Sequence, residues 1–112
     1  KSFAGETDFL SDFVRLAKDY ENCYGDTAAL NLPTRWYAYR TILSDARVRE
    51  KLVHGSDWPI PVLPNPHELP LRTAWRMMKT RNWLERDIQI KRALGFDDDY
   101  FARTAKILRI AP

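Results

Sequence analysis

Leu52-Val53-His54-Gly55-Ser56-Asp57-Trp58-Pro59-Ile60-Pro61 is the stretch on which the fold turns. Lys51 to His54 has the apolar, β-favouring character of a strand, and Gly55-Ser56-Asp57 ends it, which sets a strand at about residues 51–55. Beyond it the composition changes sharply. Pro59, Pro61, Pro64, Pro66 and Pro70 fix φ and donate no backbone hydrogen bond, so residues 58–70 read as an ordered, extended loop.

Upstream, Leu10, Phe13, Val14 and Ala17 fall on one helical stripe, and Thr7 is a plausible cap for a helix reaching about Tyr20. Residues 22–27, Asn22-Cys23-Tyr24-Gly25-Asp26-Thr27, read as a short strand. Gly25 weakens it unless some group approaches the backbone there. Leu32-Pro33-Thr34 opens a second helix with Trp36, Tyr39, Ile42 and Leu43 on its apolar face, and Ser44 or Asp45 caps a further turn through Arg49.

Downstream, the C-terminal helices are expected over 72–110. One runs from about Arg72 to Met78. A second opens at Asn82 with Glu85 in capping-box spacing, carries Leu84 and Ile88 with Ala93 and Leu94 near its end, and stops at Gly95. The last is capped within Asp97 to Asp99 and presents Phe101, Ala105, Leu108 and Ile110. Strands alternating with helices predict an α/β fold with two short parallel strands, helix-rich, in a single partial domain over residues 1–112. Two strands alone do not make a buried parallel sheet.

Composition narrows the function classes. The 112 residues are 45% hydrophobic and 29% charged, an ordinary globular balance. The 18 basic and 15 acidic residues are interspersed, so the net charge of +3 marks no nucleic-acid footprint. The tract from Arg72 to Arg81 reads as an amphipathic helix rather than an RNA grip. Cys23 is the sole cysteine, which excludes an intrachain disulfide and a cysteine metal cage. With no signal peptide and no apolar run of spanning length, a cytoplasmic protein with no membrane partner is expected.

Asp57 is the candidate for chemistry. A carboxylate at the C-terminal end of a parallel strand stands where barrel enzymes place catalytic groups, whereas capping its own turn is an Asp's ordinary role. The run Gly55-Ser56-Asp57-Trp58-Pro59 resembles the signature of the eighth strand in the amidohydrolase superfamily, above all its amidohydrolase-related branch. Asn22 to Ala28 is similar to that branch's seventh strand, Arg49-Glu50-Lys51-Leu52 to the lead-in to the eighth, and Asn82-Trp83 and Lys91 to Gly95 to its terminal helices. The resemblance spans nearly the whole chain, but Gly-Ser-Asp-Trp-Pro is its specific motif.

The resemblance implies the C-terminal βα units of a metal-dependent (β/α)8 TIM barrel, incomplete here because such a barrel takes about 250 residues. It implies a small-molecule substrate, a divalent ion (zinc or manganese), and Asp57 as metal ligand and general base for metal-bound water. Some relatives decarboxylate instead. The family's His-x-His pair and its other histidine ligands belong to strands upstream of Lys1, and one carboxylate holds a metal too weakly for catalysis. This chain alone is therefore expected to bind no metal and to be inactive. Its partner would be the remainder of the barrel, or further copies of itself in an inert interaction domain that covers its strand edges by self-association.

Other side chains carry alternatives. Trp58 and the 58–70 loop either form part of a substrate rim or plug an apolar gap against the next helix. His67 in that loop reaches the mouth of a complete barrel or is an ordinary exposed histidine. Asp26 faces the same mouth or caps its turn. His54, on the opposite side of its strand from Asp57, is expected to be packed or hydrogen-bonded behind the barrel wall. Cys23, Tyr24 and Trp36 read as buried.

Overall fold

The computed structural model describes residues 4–56 and 58–109, with side chains from Leu10 onward. Helix α1, Ala4–Asp19, leads to strand β1, Gly25–Asp26. A 3-10 turn, Pro33–Arg35, runs into α2, Tyr37–Leu43, and then α3, Ala46–Arg49. Strand β2, Leu52–Val53, is followed by the proline-rich loop and by α4, Leu71–Met78, α5, Trp83–Ala93, and α6, Asp98–Ile107. The class is α/β and helix-rich, with two parallel strands.

β1 and β2 pair in parallel, Gly25 opposite Leu52 and Asp26 opposite Val53. The ladder extends slightly past the strands, from Gly25 N to the Lys51 carbonyl at 2.8 Å and from Thr27 N to the Val53 carbonyl at 3.1 Å. Both strands are shorter than residues 22–27 and 51–55, for identifiable reasons. Glu21 and Asn22 belong to a turn in which Cys23 N reaches the Tyr20 carbonyl. Asp26 Oδ1 accepts the Ala28 amide at 2.8 Å and turns the chain out of β1, while the Gly55 carbonyl is taken by a lysine. Gly25 has the close approach its position required: a Cβ there would run into the ring of Phe13.

The helix boundaries show which local signals decide. Asp45 accepts Arg47 N and caps α3, Asn82 accepts Leu84 N and Glu85 N, and Asp97 accepts Tyr100 N. Gly95 stops α5 with φ at +110°, a backbone state that favours glycine. Thr7 is not a cap, because α1 already begins at Ala4.

Two apolar clusters form the interior. Tyr39, Ile42, Val48, Leu52, Phe96 and Tyr100 make the first, against which Leu10, Phe13 and Val14 of α1 pack. Val62, Leu69, Met77 and Ile90 make the second, and Leu94 touches both. Three residues expected inside are not fully buried. Tyr24 is exposed beneath the Lys51 ammonium, Trp36 is half-buried with its indole N–H on the Leu63 carbonyl, and Cys23 is half-buried ahead of β1.

The largest difference lies in α5. Leu84 and Ala93 face outward, and the helix buries Arg86, Asp87, Ile90 and Lys91 instead. The inward positions Trp83, Arg86, Asp87, Ile90, Lys91 and Leu94 keep helical three-and-four spacing, but half of them are charged. Leu108, expected on the apolar face of α6, is exposed, and Ile110 lies outside the described residues. Among the described residues no helix is long and apolar enough to cross a membrane.

Candidate functional site

The turn after β2 is the candidate site, and it is braced from beneath by buried polar groups. Ser56 Oγ accepts the Trp58 amide at 3.3 Å. Asp57 itself lies outside the described residues. Asp26, at the end of β1, packs its carboxylate against the Cα of Gly55, leaving no room for a Cβ. The C-terminal ends of the two strands thus meet at Asp26 and Gly55.

Beneath this meeting point lies a chain of polar contacts. Lys91 Nζ donates to the Gly55 carbonyl at 2.6 Å and sits 2.8 Å from Asp87 Oδ2. The Lys91 and Asp87 side chains are 0% and 1% exposed, so both are effectively dry. Asp87 Oδ2 is held by charge rather than by an aligned N–H, while its other oxygen accepts from Asn31 Nδ2 at 2.8 Å. Asn31 Oδ1 in turn accepts from the Tyr39 hydroxyl at 2.8 Å.

His54 stands at the upper end of the network. Its Nδ1 is 3.3 Å from Lys91 Nζ and 3.3 Å from the Tyr100 hydroxyl, and its ring meets Phe101 edge-on with centroids 5.0 Å apart. Facing an ammonium, Nδ1 acts as acceptor, which places the proton of the neutral ring on Nε2. The Tyr100 hydroxyl also bonds Thr27 Oγ1, which donates to the Val53 carbonyl at 3.2 Å. His54 is thus packed and hydrogen-bonded.

Burial sets the titration of these groups. It lowers His54 below the ordinary histidine value, with the Lys91 ammonium reinforcing the shift and Asp87 and Asp26 opposing it. It also lowers Lys91, against the attraction of Asp87 and Asp26. Tyr39 and Tyr100 are pushed upward, chiefly by burial, and remain neutral hydroxyls.

The remaining candidates lie apart. Trp58 is 63% exposed and borders a shallow surface with Arg81, Trp83 and Leu84. His67 is exposed in a different groove, with Trp36, Tyr37 and Arg40, and its amide is held by Asn65 Oδ1. The loop between them is pinned at three points: Leu63 N to the Asn31 carbonyl, Trp36 Nε1 to the Leu63 carbonyl, and Arg86 Nη1 to the Val62 carbonyl. Arg86 also donates to the carbonyls of Met78 and Thr80, satisfying the end of α4.

A divalent ion does not fit the donors that are described. His54 and Asp87 are the nearest approach to a ligand pair, but the Lys91 ammonium already supplies the cation between them. Among the described residues no group of three potential ligands stands together.

Sequence reasoning missed the Asp87–Lys91 pair. The available signal was their i,i+4 spacing in register with Ile90 and Leu94 on one helical face. No known family, characterised protein or solved structure shows significant similarity to the chain.

Proposed function

We propose that this chain is the C-terminal part of a metal-dependent amidohydrolase-type hydrolase, with Asp57 as metal ligand and general base in the complete barrel. The single observation that carries the reading is the parallel pairing of β1 and β2 across a helical crossover, their C-terminal ends meeting at Asp26 and Gly55. In barrels of parallel strands, catalytic side chains leave from that end. In sequence, Asp57 comes two residues after Gly55. The resemblance of Gly55-Ser56-Asp57-Trp58-Pro59 to the family signature supplies the rest.

In this reading, which follows the family resemblance, the other ligands and the substrate-selecting loops belong to the rest of the barrel. The test is metal analysis and hydrolysis by the intact polypeptide, wild type against Asp57→Asn. Stoichiometric zinc or manganese together with hydrolysis, both lost on substitution, is the expected result. A wild-type protein that holds no metal and hydrolyses nothing overturns the reading. Metal-dependent loss of carbon dioxide from a carboxylate substrate would move it to the decarboxylases of the same superfamily.

A second reading, an inert domain that self-associates, draws on one observation. Leu71, Trp75 and Met78 form an exposed apolar stripe along α4. Sedimentation of the isolated chain decides it, since a monomer at all concentrations excludes self-association.

A further inference from the structure

We propose that Lys91 is a positioning residue: its ammonium, oriented by Asp87, fixes the Gly55 carbonyl and thereby the exit of β2 through Gly55 and Ser56. The consequence for catalysis rests on the barrel reading above; the brace itself does not.

The geometry is specific. Lys91 reaches from the last turn of α5 to the backbone of the turn, 36 positions earlier in the chain, and its Nζ lies 2.6 Å from the Gly55 oxygen. Asp87, on the same helix face, holds that ammonium from the other side at 2.8 Å, and Asn31 holds Asp87. A buried ion pair is a poor source of stability, because desolvation of both charges offsets their attraction. What this pair does supply is a donor at a carbonyl that the ladder leaves free. Gly55 needs one. The β1–β2 pairing has ended by Thr27 and Val53, and the Asp26 carboxylate crowds Gly55 from the side. Without Lys91 the Gly55 carbonyl would be left without this donor at the point where the chain turns.

Lys91→Met alone strands the Asp87 carboxylate and disrupts folding whatever the lysine's role, so two other variants are compared in the full chain. Asp87→Asn keeps the lysine, which donates to Gly55 whether charged or neutral, and keeps an oxygen for Asn31. Asp87→Asn/Lys91→Met removes the donor without leaving a buried charge. Amide hydrogen exchange and the Gly55 carbonyl chemical shift are then read.

The double variant is expected to lose the hydrogen bond at the Gly55 carbonyl, worth about tenfold in the equilibrium that holds the turn. Its Gly55 carbonyl resonance moves upfield, and protection at Gly25 and Thr27 is kept. Asp87→Asn, which halves the pair and lowers stability throughout, keeps the Gly55 carbonyl resonance in place because the donor remains. An unchanged Gly55 carbonyl shift in the double variant, or a loss of exchange protection in it that is even across the whole chain, overturns the proposal.

In the complete barrel the same double variant is expected to lower kcat about hundredfold with KM retained, as a small misplacement of a reacting group does. If the wild-type barrel shows no hydrolysis, the barrel reading fails, and the carbonyl shift and exchange results decide the brace.

Discussion

Lys91 and Asp87 stand four residues apart on the inward face of α5, Nζ 2.8 Å from Oδ2, with neither side chain open to water. A pair so placed is destructive when halved. Lys91→Met leaves a carboxylate in a dry interior and should cost about 3–5 kcal/mol, enough to unfold much of a domain this size. Asp87→Leu/Lys91→Met, which removes both charges, should recover most of that loss. Urea denaturation of the three proteins checks the order, and a double variant less stable than the single one would contradict it.

Arg86 is the second buried charge of α5, and it works through geometry. Its guanidinium donates to the carbonyls of Val62, Met78 and Thr80 together, joining the proline-rich loop to the end of α4. A lysine cannot present that planar fork. Arg86→Lys should therefore cost about 2 kcal/mol or more, since it leaves buried carbonyls unpaired. Limited proteolysis should show earlier cleavage within 58–70, and thermal unfolding should give the stability loss. A variant as resistant as wild type would show that the loop is held without Arg86.

Gly25 is the place where α1 touches the sheet. Any Cβ there meets the Phe13 ring, so Gly25→Ala should cost about 1–3 kcal/mol through displacement of that ring. Phe13→Ala makes room for the methyl group, so in that background Gly25→Ala should cost little. A double-mutant cycle on chemical denaturation measures the coupling, and additive effects would rule the contact out.

These sites also show what the sequence made legible. The caps at Asp45, Asn82 and Asp97 and the stop at Gly95 are local hydrogen-bond and φ requirements, so short motifs reveal them. The parallel pairing of β1 and β2 followed from alternation with helices, though its short extent depends on long-range partners such as Lys91. The burial of α5 was hidden for a similar reason. Hydrophobicity pointed to Leu84, whereas the buried face is set by mutual neutralisation of Asp87 and Lys91 and by the carbonyls that Arg86 finds far along the chain. Asp57, central to the family reading, lies outside the described residues, which include its neighbours Gly55, Ser56 and Trp58.

The last expectation concerns pH and follows from His54. The groups facing it are Tyr100 and Phe101 from α6, Lys91 and Asp87 from α5, and Asp26 at the end of β1. Burial, reinforced by Lys91, lowers its folded value below the ordinary 6.5. The unfolded chain then binds its proton more readily than the folded one. Stability from this group is fully present above pH 6.5 and falls as the pH drops from there toward the folded value. Replacing the ring with one that does not titrate, His54→Phe, should flatten the stability–pH curve in that window while leaving the more acidic limb, where Asp45 and other carboxylates protonate, unchanged. Denaturation midpoints at half-unit steps from about pH 7.5 to about pH 4.5 give the slopes to compare. Parallel curves for wild type and variant would mean that His54 titrates alike in both states.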